Sequence, residues 1–423
     1  MATALLTGLM QLRCAHALPR SVRVACHPYD PVQYSDSDEV LCMKVQALAN
    51  LLRVSRSTLA YTGAGLSIDA GLRVLCSVAS ALLLNLYIYC HHTPSGIAQA
   101  AAGSKSKSAC RAGCDALPTF AHFVLAALNR SNLLHGWVQQ NHDGLPQKAG
   151  YRQEDINEIH GSWFDPSNPV VKYSGSLRDD LYQHMQQQAA TTDLVLVVGT
   201  SLSGLNADQC ASSPAKRSLK GSALGCVIIS PQRTSHDPSA TLRIFATADR
   251  ALAALSALMQ LQLPSDTMQV CERPATPPTP PPSTSKALAQ HMSVTSRSFN
   301  PLTPPPSQHG CAAFTQENRV LVPYNKRGER SSTVRTWWDL SPGARIQVSK
   351  HNNIEGAQQP AFKDVTSKTE GRVLRRNRTT CCFELKMGDA NMKLGVWWLE
   401  AALRGQLSHL PVVNIGAVEQ AAA

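Results

Sequence analysis

Apolar positions change their period along the chain, and the changes mark out its elements. After the polar run Ser35-Asp36-Ser37-Asp38, residues Val40, Leu41, Val45, Leu48, Leu51 and Leu52 recur at helical spacing and predict a capped amphipathic helix. Thr58-Leu59-Ala60-Tyr61 reads as a short strand running into Gly63-Ala64-Gly65. Two continuous apolar runs follow, Asp193-Leu194-Val195-Leu196-Val197-Val198 and Gly225-Cys226-Val227-Ile228-Ile229, the first ending in Gly199-Thr200-Ser201 and the second in Ser230-Pro231. Runs without alternation suit central strands of a parallel sheet covered on both faces. Residues 242–263 predict a closing strand and helix, with Leu252, Leu255, Leu258 and Met259 on one face. The pattern is that of an α/β fold. Its Gly, Ser, Thr and Asn residues gather at the strands' carboxyl ends, where open α/β sheets bind ligands.

Beyond residue 271 the pattern breaks. Ten of the forty residues from 271 to 310 are proline, as in a semi-rigid polyproline linker; its PxxP spacings suit ligand sites, and a plain spacer is the alternative. A second module spans roughly 319–414. Val320-Leu321-Val322, Arg345-Ile346-Gln347-Val348 and Arg372-Val373-Leu374 read as short strands, residues 394–403 as a helix, and Trp337-Trp338 and Trp397-Trp398 as anchors of a small core. A small β-barrel or α+β module is expected. The divisions predicted are an N-terminal extension (1–34), an α/β domain (35–265) with an atypical insert (74–116), the linker (266–317) and the module (318–416).

Charge adds one feature to this picture. The chain carries a net +11, and residues 317–378 alone hold 13 Lys/Arg against 6 Asp/Glu. Such a bias suits contact with nucleic acid, and a solvated basic face is the alternative. Arg13, Arg20 and Arg23 precede any acid before Asp30, a faint likeness to a transit peptide; a plain extension is the alternative. The apolar run at 74–90 sits at the short limit of ~17–25 residues for a membrane span. Its place inside the α/β domain argues against one, so no membrane partner is expected. The 13 cysteines form no regular framework, and reduced thiols are the default.

Three stretches carry candidate chemistry. Gly63-Ala64-Gly65-Leu66-Ser67 follows a strand, and glycines there let phosphates approach backbone N–H groups; a structural turn remains open. Gln140-Asn141-His142-Asp143-Gly144-Leu145 places four polar side chains after a short apolar stretch. Asp143 and Asn141 supply the acceptor and donor that a carboxamide needs, while an Asx-rich turn is the bland reading. Glu158-Ile159-His160-Gly161 adds a histidine suited to general-base duty, although a lone histidine is more often structural.

Taken together these residues resemble the sirtuin family of NAD-dependent protein deacylases. The matching pieces are Gly63-Ala64-Gly65-Leu66-Ser67, Gln140-Asn141-His142-Asp143-Gly144-Leu145, Glu158-Ile159-His160-Gly161-Ser162 and Gly199-Thr200-Ser201-Leu202, in the family's order, over roughly residues 38–263. Pro118-Thr119-Phe120-Ala121-His122 matches the helix that precedes the Gln-Asn-x-Asp strand. Gly175-Ser176-Leu177-Arg178-Asp179 and Thr241-Leu242-Arg243-Ile244 resemble the chromatin-associated nuclear subgroup.

The resemblance implies a Rossmann-like parallel sheet of sirtuin type with a reduced small domain. It also implies that NAD is consumed as co-substrate. Gly63, Ala64, Gly65 and Ser67 would line the phosphates, and Asn141 and Asp143 would hold nicotinamide and its ribose. Gln140 belongs to the same cofactor-binding motif, and Gly199, Thr200 and Ser201 would sit near the ribose-phosphate. His160 would be the base. In the family's reaction the acyl-lysine oxygen attacks the ribose C1′ as nicotinamide leaves, and the acyl group ends on ADP-ribose.

Three departures qualify this. After Gly71 comes Leu72-Arg73-Val74-Leu75-Cys76 instead of an Ile-Pro-Asp-Phe-Arg-type loop, from either a real insertion or translated non-coding sequence. Between His160 and Thr200 there is no cysteine, so zinc, which needs four ligands, is not expected there, and Cys110 and Cys114 lie on the wrong side of His160. Ser230 stands where the family has an Asn on the adenosine ribose, which predicts weaker NAD affinity. The function expected is NAD-dependent deacetylation of protein lysine, with acetylated proteins such as histones as partners, in the nucleus; cytoplasm or an organelle is the alternative place. A catalytically weak NAD or ADP-ribose binding module and a mono-ADP-ribosyltransferase are the competing readings.

Overall fold

The computed structural model of the chain describes residues 22–24, 33–70, 116–171, 175–202, 206–264, 317–349 and 369–422. The run at 74–90, Cys110, Cys114, the loop after Gly71 and the proline-rich stretch lie outside them.

A two-stranded antiparallel ribbon, β1 (Val22–Val24) with β2 (Gln33–Ser35), leads into α1 (Asp38–Val54). Ser37 caps α1 by accepting from the Val40 N–H, and Asp38 and Glu39 stand in its first turn, where carboxylates favour the positive end of the helix dipole. There follow β3 (Thr58–Thr62), α2 (Phe120–Arg130), β4 (Gly136–Gln139), the short α3 (Leu145–Lys148) and β5 (Ile156–Glu158). Next come α4 (Asp179–Thr191), β6 (Leu194–Val198), α5 (Gln209–Leu219), β7 (Gly225–Ile229), β8 (Leu242–Ile244) and α6 (Ala248–Met259).

Strands β3 to β8 form one six-stranded sheet in the order β5-β4-β3-β6-β7-β8, parallel throughout. Every residue of β3, β6 and β7 is buried, and alternate residues serve opposite faces. Leu194, Leu196 and Val198 join one core with α1, α2 and α6, while Val195 and Val197 join a second core with Met185 of α4 and Ala211 of α5. Helices on both faces explain why the strands read as unbroken apolar runs. The expected α/β, Rossmann-like class is therefore present. Leu258, placed by its spacing on the buried face of the last helix, is 39% exposed; Leu252 and Leu255 carry that face.

The C-terminal module is antiparallel. It comprises β9 (Arg319–Val322), β10 (Val334–Asp339), β11 (Arg345–Val348), β12 (Glu370–Asn377), β13 (Cys382–Met387), β14 (Ala390–Gly395), α7 (Trp397–Leu403), β15 (Val412–Asn414) and β16 (Glu419–Ala421). Two sheets, β14-β13-β12-β11-β15 and β16-β10-β9, enclose one core. Three expectations need correction. Leu394 belongs to β14 and the helix begins at Trp397; β16 takes the module past residue 416; and Trp337 is 38% exposed while Trp338 is buried, because neighbours on a strand face opposite ways. Among the described residues Cys42, Cys210 and Cys226 carry free thiols but Cys381 is disulfide-bonded, so reduced thiols do not hold throughout.

Candidate active site

Every residue singled out for cofactor binding or catalysis stands at the carboxyl end of one of four adjacent strands. Gly63, Ala64, Gly65 and Ser67 follow β3, Gln140, Asn141 and Asp143 follow β4, His160 follows β5, and Gly199, Thr200 and Ser201 follow β6. Parallel pairing makes this inevitable, since all the strands end on the same side. Hydrogen bonds from Gly63 N–H to the Val198 carbonyl (3.1 Å) and from Gln140 N–H to the Thr62 carbonyl (3.0 Å) carry the register into the loops.

At the centre lies a buried polar cluster. Ser67 Oγ donates to Asp143 Oδ2 (2.7 Å), and Asn141 Nδ2 donates to Ser67 Oγ (3.0 Å) and to the Gly63 carbonyl (3.1 Å). The other carboxylate oxygen, Asp143 Oδ1, accepts from Leu145 N–H (3.1 Å) and Gln139 Nε2 (3.3 Å). Asn141, Asp143 and Ser67 are all buried. Burial pushes the Asp143 carboxyl up, and the Ser67 and Leu145 hydrogen bonds and the Lys148 charge offset this only in part.

The glycines let two loops approach closely. A Cβ on Gly63 would lie 2.8 Å from Thr200 Cβ, and one on Gly65 would lie 2.7 Å from Gly199 Cα. Gly199 itself has φ +65°, and a Cβ there would collide with the Leu66 backbone nitrogen. The absence of side chains lets the loops after β3 and β6 close on each other. The structural-turn reading of Gly63-Ala64-Gly65 therefore has a concrete basis. Ser201 is exposed at the rim, and Ser230, buried after β7, accepts from Gln232 N–H (3.2 Å).

His160 is partly covered. Burial lowers its pKa, while a hydrogen bond with the Gln140 backbone and the charge of Asp208 pull it back up. The imidazole is thus held neutral at neutral pH, the form that accepts a proton. Around it runs a network that the sequence did not reveal. Tyr61 Oη donates to Asp208 Oδ1 (2.8 Å), Gln140 Nε2 donates to Tyr61 Oη, and Thr200 Oγ1 donates to Gln140 Oε1 (3.3 Å). Burial and the Asp208 carboxylate raise the Tyr61 pKa well above its usual value, so it stays a donor. Asp208 stands before α5, 147 residues from Tyr61, and only the fold joins them.

His142 belongs to the frame. Its Nδ1 lies 2.8 Å from the Gly161 carbonyl, its ring packs against Trp163, and burial drops its pKa to about 4. Glu158 is buried beside Ser162, Gln147 and Gln153, and burial pushes its carboxyl up to about 7. Among the described residues, no group of three or more His, Cys, Asp or Glu side chains is placed to hold a metal ion.

Known proteins now bear on this geometry. The chain is 24% identical to the NAD-dependent protein deacetylase SRT1 of Oryza sativa subsp. indica over 266 residues, 54% of this chain and 51% of that protein. It is 25% identical to the NAD-dependent protein deacetylase sirtuin-7 of Bos taurus over 274 residues, 54% of this chain and 63% of that protein. The relatives of this chain are sirtuins. A third, the NAD-dependent protein deacetylase Sirt6 of Drosophila melanogaster, is 29% identical over 127 residues, covering 30% of this chain and 35% of the fly protein. The sirtuin-like chain spans about half the length of its plant relatives. No family model matches it. Among solved structures, a Sir2 bound to acetylated peptide aligns at TM-score 0.41 and 20% identity, over 52% of this chain and 99% of that one.

Proposed function

We propose that the chain is an NAD-consuming protein-lysine deacetylase of the sirtuin type. The observation that carries the reading is the buried Asn141–Ser67–Asp143 cluster beside a neutral His160 at adjacent strand ends. Its donors and acceptors fit a co-substrate bearing a carboxamide and ribose hydroxyls. When bound, NAD supplies an electrophilic ribose carbon and a leaving nicotinamide. Asp143 would accept from and orient the nicotinamide amide, and Asn141 beside it would hold the ribose. His160 takes a proton from a ribose hydroxyl, and the Tyr61–Asp208 pair near Gln140 stabilises the charge this leaves on the imidazole. Gly63, Ala64, Gly65 and Ser67 would line the phosphate portion of NAD, and Gln140, Gly199, Thr200 and Ser201 would close the site across the β3 and β6 loops. No zinc takes part in the proposal.

Acetylated protein, histones included, is the partner on this reading, and the nucleus its place; both rest on the likeness of Gly175-Ser176-Leu177-Arg178-Asp179 and Thr241-Leu242-Arg243-Ile244 to the chromatin-associated nuclear subgroup. Nucleic-acid contact draws support from a cationic row across the module, where Arg345 lies opposite Arg372 and Arg372 opposite Lys386. Arg345 is also paired with Glu370, and the row's remaining cations suit contact with phosphates. Among the described residues no helix is long and apolar enough to cross a membrane.

Product analysis after incubation with NAD and an acetyl-lysine peptide tests the reading. Formation of free lysine and O-acetyl-ADP-ribose is expected. NAD binding with no product would favour a binding module, and label transferred onto protein with the acetyl group intact would favour an ADP-ribosyltransferase; either result overturns the proposal.

A further inference from the structure

The C-terminal module does not stand apart from the site. Where the sirtuin resemblance would place a zinc module, the loop after His160 reads Trp163-Phe164-Asp165-Pro166. Phe164 is fully buried, and it is buried in the core of the C-terminal module, among Trp397, Trp398 and Leu399. Its carbonyl accepts from Gly395 N–H (3.1 Å) and from Trp398 Nε1 (3.2 Å). Trp397 meets the Phe164 ring edge-on with centroids 5.3 Å apart. The indole N–H of Trp397 donates to Gln153 Oε1 (2.6 Å), which also accepts from Gln147 Nε2 of α3 (3.1 Å).

These two rings bear on the turn that presents Asp143. Gly144 has φ +62°, and a Cβ there would lie 2.8 Å from Phe164 Cδ2 and 3.0 Å from Trp397 Cη2. The adjacent backbone is fixed from the same side, since Trp163 N–H donates to the His142 carbonyl (3.0 Å). Lys148, at the end of α3, holds its ammonium 5.1 Å from the Phe164 ring centroid. The turn thus has the sheet on one side and two aromatic rings on the other, one of them from a residue more than 200 positions away. A tight apolar wall of this kind limits how far a backbone turn can shift.

We infer that the module is a working part of the NAD site, with Trp397 as a positioning residue that acts through Phe164 and Gln153 to hold the Asp143-Gly144-Leu145 turn in place. The catalytic part of the inference rests on the deacetylase reading; the mechanical part does not. Misplacing a binding group by about 1 Å can cost on the order of 100-fold in rate.

The test uses the full chain and four variants. Trp397→Ala removes the ring, Phe164→Leu shrinks the contact while keeping the apolar plug, and Trp397→Phe restores a ring without the N–H. Trp337→Ala, exposed on β10, is the control. Hydrogen exchange of the amides at 141–150 should speed up about ten-fold or more in Trp397→Ala and Phe164→Leu, with β6 protection unchanged. Trp397→Phe should recover part of the loss, and Trp337→Ala should match the wild type. In turnover, kcat should fall about ten- to hundred-fold in the first two variants while KM for the peptide changes less. If Trp397→Ala unfolds the module, which lost protection in β13 would reveal, Phe164→Leu decides. Wild-type exchange at 141–150 in a variant with the ring contact removed and β13 intact overturns the inference. A wild-type chain without turnover would sink the deacetylase reading instead, and the exchange arm would still decide the mechanical one.

Discussion

The parallel sheet and the antiparallel module solve the same burial problem in opposite ways. In the α/β half, β3, β6 and β7 are buried along their whole length, so polar chemistry is confined to where the strands stop. In the module, β10 alternates buried with more exposed residues and β12 buries only Val373, so charges such as Arg372 and Arg375 spread along the strand in water. Polar side chains at the strand ends are therefore desolvated and mutually hydrogen-bonded, as Ser67, Asn141 and Asp143 are; the module's charged side chains such as Arg345 and Glu370 are solvated and paired on the surface. The difference teaches where substitutions should matter.

The largest effect should come from the strand ends. Asp143→Asn keeps the side chain's volume and one acceptor oxygen, so the fold should persist while nicotinamide release falls about 10²–10³-fold, as for loss of one preorganised electrostatic partner. Steady-state kinetics beside a thermal melt separates the two outcomes. A loss under ten-fold would break the comparison at its strongest point.

Next comes the closure of the β3 and β6 loops. Gly199→Ala forces a side chain into a left-handed backbone position and against Leu66, at a cost of roughly 2–4 kcal/mol. Denaturant unfolding would read this as a lowered midpoint, and a midpoint within error of the wild type would show that the loops are not packed as described.

Glu158 sharpens the contrast through pH. Burial raises its pKa from an ordinary 4.5 to about 7, so the native state favours the neutral carboxyl. The stability it contributes is present in full below about pH 4.5 and is lost as pH rises through 7. Glu158→Gln removes this slope, so the variant should gain on the wild type between pH 5 and pH 8 by on the order of 3 kcal/mol at most. Unfolding midpoints of both proteins at the two pH values check it, and parallel slopes would mean that Glu158 ionises freely.

The smallest effect belongs to the module's surface. Breaking Arg345–Glu370, both well exposed, by Arg345→Ala should cost less than about 1 kcal/mol, measurable in a double-mutant cycle. A larger coupling would place that face in a less solvated setting than its exposure implies.

The same contrast explains how much the sequence disclosed. Strands β6 and β7 were legible because double-sided burial leaves unbroken apolar runs, and Gly199, Thr200 and Ser201 because they follow β6 directly. Helix α4 was not legible: only Met185 and Ala189 of its residues are buried, leaving no apolar stripe to read. Helix α5 hid behind an internal proline, Pro214. β5 is three residues long, too short for any periodicity. Within the site, Asn141, Asp143 and His160 were found by their motifs. Tyr61 reads only as part of a strand and Asp208 carries no motif, because a hydrogen bond between distant residues leaves no local pattern. The contact of Trp397 with Phe164 is of the same kind: the sequence pattern marks Trp397 only as an anchor of the module's own core.

One measurement bears most directly on the central claim, that Asn141, Asp143 and His160 form a site that splits NAD. It follows nicotinamide release over time from NAD by the full chain, with and without an acetyl-lysine peptide, beside His160→Ala. The account predicts peptide-dependent release by the wild type, lowered about 10²–10⁴-fold in the variant, as expected for loss of a general base. Release that is absent from the wild type, or equal in the two proteins, would contradict it.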